Sequence, residues 1–172
     1  MRKSATQVAL SSDLSIVLAA LSRALRNEPF AKALTMSVRV LRDSSDHFDW
    51  VGIYLVRGND LVLEAYAGDE ETEHVRIPIG LGICGSAAKE GATIVVPDVS
   101  KDPRYLTCFA STRSEIVVPI KGMKRVLGEI DIDSSRLSAF KQKDRDMFEG
   151  AASLLARHLD DQRFVAQEPS TL

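Results

Sequence analysis

The sequence contains little of what marks a disulfide-rich, membrane-spanning or nucleic-acid-binding protein. Only two of its 172 residues are cysteines, too few for a disulfide scaffold or an all-thiol zinc site. No apolar run approaches the roughly 20 residues of a membrane span. Lysine and arginine total 22 against 24 acidic residues, which leaves no basic excess to hold a phosphate backbone. We therefore expect neither a membrane nor a nucleic-acid partner.

The composition fits a single globular domain, with 45% apolar and 27% charged residues. Polar, aperiodic ends predict a flexible arm at residues 1–11 and a flexible tail at 166–172, with one domain over 12–165. The amino terminus lacks the apolar core of a signal peptide, and cysteine is scarce. Both features favour a cytoplasmic location, where thiols stay reduced.

Apolar residues at helical spacing predict helices at both ends of this domain. The first helix begins after Ser12, and Asn27-Glu28-Pro29 separates it from a second. The last helix is predicted to begin near Phe140. The predicted apolar faces are Leu14, Val17, Leu18, Leu21 and Leu25; Phe30, Leu34, Val38 and Leu41; and Phe148, Ala151, Ala152, Leu155 and Leu159.

Between these helices, segments rich in aromatic and β-branched residues predict an antiparallel-type sheet. A glycine-rich turn at 80–85 leads into a short predicted helix at 86–90, and the long connection at 97–112 is typical of a lid or binding loop. Helices, sheet and closing helix together indicate an α+β fold. The predicted strands are 49–56, 61–67, 75–79, 93–96, 114–120 and 126–133.

Strand alternation gathers aromatic and acidic side chains on common faces. Trp50, Gly52 and Tyr54 share one face of their strand; Glu129, Asp131 and Asp133 share one face of theirs. A cavity of rings and carboxylates suits a small zwitterionic or cationic ligand, because carboxylates accept hydrogen bonds from an ammonium group. The predicted binding residues are Trp50, Tyr54, Glu115, Asp131 and Asp133.

A purely structural interpretation of the same residues stays open. Glu115 could pair with Arg113 or Arg125, the two aspartates could cap the loop Ser134–Ser138, and Trp50 could belong to an ordinary core.

Cys84 lies in the glycine-rich turn where a helix begins, a position that favours the thiolate, and Cys108 lies in the long loop. If this loop folds over the turn, the two thiols can form a reversible disulfide; otherwise each is a small hydrophobic residue. His47, His74 and His158 show no metal-ligand spacing, although a mixed site of His74 with both cysteines is conceivable. We expect neither a metal nor a cofactor.

Five segments together resemble a GAF domain from about Leu14 to Leu159. Within that family the chain is most similar to the free methionine-(R)-sulfoxide reductases. The resemblance implies an antiparallel sheet with the terminal helices on one face and ligand-pocket loops on the other. The segments are Trp50–Tyr54 (WVGIY), Arg76–Ala88 (RIPIGLGICGSAA), Val95–Val99 (VVPDV), Arg113–Ile120 (RSEIVVPI) and Leu127–Ser134 (LGEIDIDS).

The resemblance also implies roles for residues. Cys108 would attack the sulfoxide sulfur, Asp133 or Glu115 would protonate the oxygen, and Cys84 would resolve the sulfenic acid as a disulfide. Which cysteine attacks stays open. A thioredoxin-like reductant would reset the pair. Trp50 and Tyr54 would pack the thioether arm of free methionine sulfoxide or another small amino-acid-like ligand; Glu115, Asp131 and Asp133 would hold its amino group.

Three positions differ from those reductases. His74 stands where a third cysteine is usual, Glu64-Ala65-Tyr66 replaces a G-P-F segment, and Arg104–Phe109 differs from the usual loop. The last two differences are typical of sensory GAF domains. A small-molecule-binding or redox-sensing module is therefore the alternative, and the terminal helices could form a homodimer in either case.

Overall fold

Two helices lead the described part of the chain, a six-stranded sheet occupies its middle and a long helix closes it. The computed structural model describes residues 13–167, with side chains as far as Asp161. The predicted arm 1–11 and residues 168–172 of the predicted tail lie outside the described residues. The elements are α1 (Leu14–Asn27), α2 (Phe30–Asp43), β1 (Trp50–Arg57), β2 (Asp60–Ala67), β3 (Arg76–Pro78), α3 (Gly82–Glu90), β4 (Ile94–Val96), a 3-10 turn (Val99–Lys101), β5 (Ser114–Lys121), β6 (Val126–Ser134) and α4 (Gln142–Gln167).

Local sequence signals set the bounds of the first two helices. Asp13 caps α1, since its Oδ1 accepts a hydrogen bond from the Ser15 amide at 2.9 Å. Pro29 precedes α2 and separates the two helices, as predicted. The predicted apolar faces are buried apart from Leu18 and Phe30, which are half-buried against the core, and Leu14, which is 41% exposed because the helix begins there.

The sheet is antiparallel throughout, in the order β3-β2-β1-β6-β5-β4. Strand β6 lies between β1 and β5, so residues far apart in sequence become direct neighbours. Pro78 lies in the edge strand β3, where its missing N–H costs no ladder bond. The α+β prediction is confirmed.

The two faces of the sheet carry different layers. On one face, α1, α2 and α4 pack over the main core, to which the sheet contributes Val51, Ile53, Leu55, Ile116, Val118, Ile120, Ile130 and Ile132. On the other face lie α3 and the loops, over a second cluster that includes Trp50, Tyr54, Cys84 and Val117. This arrangement confirms the predicted placement of helices and pocket loops.

Helix α3 begins four residues earlier than predicted, at Gly82 rather than Ser86. Gly80 and Gly82 have φ angles of 96° and 73°, which side-chain-bearing residues rarely adopt. The glycine-rich segment therefore turns sharply and enters the helix at once. As a result, Cys84 lies in the first turn of α3 and is buried toward the sheet.

Among residues 13–167, no helix combines the length and the apolar composition that crossing a membrane requires.

Close contact between β1 and β6 depends on Gly128, which pairs with Leu55. A Cβ there would collide with the Tyr54 carbonyl oxygen and lie 2.8 Å from Leu55 Cδ2. Because backbone cannot move aside, we expect Gly128→Ala to lower the free energy of unfolding by about 3 kcal/mol in urea denaturation. Gly150→Ala in α4 is the control, since it meets only the flexible end of Leu18. Equal stability of both variants would contradict this account.

Candidate functional site

Four carboxylates lie together on the sheet face covered by α3. Glu129, Asp131 and Asp133 alternate along β6, and Glu115 of β5 is the direct cross-strand partner of Asp133. Their exposed fractions are 0%, 1%, 2% and 4%, respectively. Among residues 13–161, no ion pair joins any of them to a basic side chain.

The ion pair that the structural interpretation gives Glu115 is absent among residues 13–161, and both side-chain oxygens of Asp133 lack a hydrogen-bond partner there. Neither Arg113 nor Arg125 forms an ion pair with Glu115. The amide of Ser135 is capped by Asp49, whose Oδ2 accepts its hydrogen bond at 2.6 Å, and not by the aspartates of β6.

Strand β1 brings its aromatic residues against this acidic row. Trp50 lies opposite Asp133 and Tyr54 lies opposite Glu129, so the predicted alternation is confirmed on both strands. The Tyr54 hydroxyl donates a hydrogen bond to the His74 carbonyl oxygen at 2.9 Å. The two rings and the carboxylates thus share one buried face.

Trp50 forms the centre of an aromatic group. Its ring stacks on Tyr66 at a centroid distance of 5.8 Å and meets Phe109 at 5.6 Å. The indole also lies over Gly52 and Gly68, where any Cβ would collide with it. Tyr66 and Phe109 belong to two of the segments that differ from the reductase pattern. Those differences therefore change the residues that contact the Trp50 ring.

A cleft of about 200 Å³ opens beside this group. Its lining includes Trp50, Phe109, Thr112 and Asp133. Its volume lies below the range of pockets for drug-sized ligands and suits a molecule the size of an amino acid.

Cys84 contacts the carboxylates from the α3 side. Its Sγ lies 3.8 Å from Glu115 Oε1. Burial, followed by the charges of Asp131, Glu129 and Glu115, raises the pKa of the Cys84 thiol well above its usual value. The expectation of a favoured thiolate at this helix start is wrong, because desolvation and like charge outweigh the helix dipole.

Cys108 is half-buried in the loop over the same cluster, and both thiols are free. Its Sγ–H donates to the Leu106 carbonyl oxygen at 3.4 Å. Burial, followed by Asp131, Asp133 and Glu115, raises the pKa of the Cys108 thiol, whereas the Thr72 hydroxyl lowers it. Thr72 is therefore the nearby group that favours the thiolate.

His74 ties the β2–β3 loop to the loop that carries Cys108. Its ring Nε2 lies 3.1 Å from the Thr107 carbonyl oxygen. A carbonyl only accepts, so Nε2 must carry a proton in this contact. The His74 backbone N–H donates to Thr72 Oγ1 at 3.1 Å. His74 thus holds in place both the residue before Cys108 and the hydroxyl that lowers the Cys108 pKa.

Burial also favours the protonated form of the carboxyl groups. It raises the pKa of Asp131 to about 7, despite side-chain hydrogen bonds that lower it. Desolvation and mutual repulsion raise the pKa values of Glu115 and Asp133, and those two causes also act on Glu129. Near neutral pH the cluster can therefore donate protons as well as accept them.

The structure brings together all seven residues that carry the predicted roles, and it adds others. Glu129 belongs to the cluster and was signalled by its alternation with Asp131 and Asp133. The loop residue Thr72 had no signal in the sequence, and Phe109 was signalled only as part of the long loop at 97–112, because their approach depends on how two loops cross. The seven predicted residues are Trp50, Tyr54, Cys84, Cys108, Glu115, Asp131 and Asp133.

Comparison with known proteins identifies the family. The GAF domain model matches residues 30–159, more than half of the chain. The chain belongs to the GAF domain family. This GAF domain is 38% identical to GAF domain-containing protein A of Dictyostelium discoideum over 99 residues, 57% of this chain and 61% of that protein. It is 36% identical to free methionine-R-sulfoxide reductase of Saccharomyces cerevisiae over 111 residues, 62% of this chain and 61% of that protein.

A solved structure of free methionine-R-sulfoxide reductase from Neisseria meningitidis, in complex with its substrate, shares the fold. It is 32% identical to this GAF domain, with a TM-score of 0.82 over 96% of this chain and 98% of that chain. The match to each of the two curated relatives spans about three fifths of that relative's length.

Thr72 lowers the pKa of Cys108 and Asp131 raises it, so removing either group should change the reactivity of this thiol in opposite directions. In a Cys84→Ser background, Thr72→Val should slow alkylation of Cys108 by iodoacetamide, because it removes the hydroxyl that lowers the pKa. Asp131→Asn should accelerate alkylation, because it removes a negative charge. Only the thiolate reacts, so we expect each rate to change by roughly threefold to tenfold. Thr93→Val, remote from the thiol, is the control; equal rates in all variants would contradict the account.

The raised carboxyl pKa values predict that stability falls as pH rises. Between pH 4 and the Asp131 pKa of about 7, the folded state binds more protons than the unfolded state. The free energy of unfolding should therefore decrease with pH, by about 1.4 kcal/mol per pH unit for each extra proton. Urea denaturation from pH 5 to 8 measures this slope. Asp131→Asn should flatten it, whereas Asp146→Asn, at an exposed position of α4, should not; a constant or rising stability would refute the prediction.

Proposed function

We propose that this GAF domain reduces free methionine-(R)-sulfoxide to methionine with its two cysteines. The observation that carries the proposal is the juxtaposition of two free thiols, four buried carboxyl groups and the rings of Trp50 and Tyr54 on one sheet face. The similarity to reductases of that name supports the choice of substrate.

The site matches the three chemical parts of this substrate. The methyl thioether arm is apolar and suits the rings of Trp50 and Tyr54. The ammonium group suits Asp131 and Asp133, which have no cationic partner among residues 13–161. The sulfoxide oxygen needs an acid. Glu115 or Asp133 can supply the proton because burial raises the pKa of each carboxyl group, and the one that donates is not the one that holds the ammonium group.

The substrate would also activate the thiol that attacks it. Burial and, after it, three carboxylates raise the pKa of Cys108 in the free protein. An ammonium group bound beside them offsets their negative charge and so lowers that pKa. The thiolate would then form mainly when substrate is present, which protects Cys108 from unrelated oxidants.

The reaction balances with two thiols. Cys108 provides two electrons to the sulfoxide and takes its oxygen as sulfenic acid, and methionine leaves as the thioether. The Cys84 thiol attacks this sulfenic acid and forms a disulfide and water. A thioredoxin-like dithiol would then reduce the disulfide by exchange. Each cycle consumes two hydrogen atoms from the protein, and two from the reductant restore them.

The alternative is a non-catalytic GAF module that binds a small ligand or senses redox state. The raised pKa values of both thiols favour it, since they slow reaction in the absence of substrate. A homodimer through the terminal helices is compatible with either function and remains a prediction.

A single-turnover experiment tests the reductase. Fully reduced protein is mixed with free methionine-(R)-sulfoxide without reductant, and released methionine and intact protein mass are measured. We expect one methionine per chain and the loss of two hydrogens. Cys108→Ser should release none, whereas Cys84→Ser should release one without forming the internal disulfide. The S epimer and N-acetylated sulfoxide should react far more slowly.

Two results would overturn the proposal. Wild-type turnover in Cys108→Ser would remove Cys108 from the attacking role. No methionine and an unchanged mass in the wild type would favour the sensor alternative.

A further inference from the structure

Three groups of the site lie close enough together to serve as metal ligands. Cys84 Sγ and one oxygen each from Glu115 and Asp131 all lie within 4.8 Å of one another. The Sγ–Oε1 distance is 3.8 Å. Tetrahedral Zn²⁺, with bonds of about 2.3 Å to sulfur and 2.0 Å to oxygen, separates such ligand atoms by about 3.5 Å. Small side-chain movements would therefore complete the geometry.

An independent observation also points to a cation. Asp131 Oδ1 and both carboxylate oxygens of Glu129 are fully buried and accept no ordinary hydrogen bond among residues 13–161. Buried carboxylate oxygens without donors are costly unless they are protonated or bind a cation. The Cys84 thiol also lies close enough to Glu129 to lower the pKa of that carboxyl group, so Glu129 belongs to the same buried cluster.

We propose that this cluster binds one Zn²⁺ when Cys84 is reduced, with Cys84, Glu115 and Asp131 as ligands and Glu129 or water in the fourth position. The thiol selects zinc over calcium and magnesium, because those harder cations prefer oxygen ligands alone. Zinc takes the place of the thiol proton on Cys84 and of any proton on the Glu115 and Asp131 carboxyl groups, and these protons are released to solvent.

The position of this site gives zinc a regulatory effect, which rests on the proposed function. Bound zinc occupies the carboxylates that would hold the ammonium group and the thiol that would resolve the sulfenic acid. Zinc and substrate therefore exclude each other. Oxidation of Cys84 removes a ligand and releases the ion, so zinc binds only the reduced protein.

Direct binding tests the site without any activity. Reduced, chelator-treated full-length protein competes for Zn²⁺ with a chromogenic chelator, and stoichiometry and affinity are measured. We expect one ion per chain. Cys84→Ser and Asp131→Asn should each weaken binding by about 100-fold. Cys108→Ser is the matched control: it removes the other thiol and should leave the affinity unchanged.

Cobalt keeps the test decisive if a variant fails to fold. Co²⁺ added to the wild type should give a thiolate-to-cobalt charge-transfer band and the strong visible bands of tetrahedral coordination. Circular dichroism checks the fold of each variant. Absence of both zinc binding and cobalt bands in the wild type overturns the proposal. Equal zinc affinity in folded Cys84→Ser, or loss of affinity in folded Cys108→Ser, overturns it too.

The reductase proposal is tested separately. Methionine release by chelator-treated protein measures reduction without zinc, and it succeeds or fails independently of metal binding. If the reductase proposal and the zinc proposal are both correct, Zn²⁺ should raise the apparent KM for the sulfoxide and leave turnover at saturating substrate unchanged.

Discussion

Four carboxyl groups buried on one face of a sheet, without an ion-paired cation in the described chain, govern the chemistry of this protein. Antiparallel pairing of β6 with β1 and β5 brings Glu115, Glu129, Asp131 and Asp133 together. Removal from water and mutual repulsion make their charged forms costly, so pKa values rise across the cluster. Burial and then the same negative charges favour the protonated form of both thiols. A positively charged group bound there lowers the free energy of the whole cluster, whether it is an ammonium group or a metal ion.

The main core makes this costly arrangement possible. Helices α1, α2 and α4 bury the opposite face of the sheet, where aliphatic residues of β1, β5 and β6 form the main hydrophobic core. Favourable apolar packing is thus concentrated on one face of the sheet, and the other face can hold buried carboxyl groups whose charged forms are costly. Loops complete the site on that second face: His74 joins two of them through the Thr107 carbonyl, and Phe109 closes against Trp50. The site depends on the loops and on the main core. The loops cover the thiols, and the core holds together the strands that carry the carboxyl groups.

Much of the fold and part of the site chemistry could be predicted from sequence. Helical spacing identified the buried faces around Val17, Leu34 and Leu155, and alternation assigned Trp50, Tyr54 and the acidic row to one side. The start of α3 was predicted four residues late, because glycines at positive φ were interpreted as a turn rather than as the entry to a helix. The pKa direction of Cys84 was also wrong. A helix start is visible in sequence, whereas the three carboxylates packed against the thiol come from other strands.

By itself, the sequence determined which residues share a helix face or a strand face, because those periodicities are local properties of the backbone. It also determined that thiols, rings and carboxylates occur in a pattern similar to one class of GAF domain. Only the tertiary structure decided that Glu115 has no arginine partner among residues 13–161, that Thr72 and His74 reach the Cys108 loop, and that Cys84, Glu115 and Asp131 converge within 4.8 Å. These facts depend on sheet order, on the course of two loops and on exclusion of water. Each of these brings together residues that are far apart in sequence, which local sequence patterns do not predict.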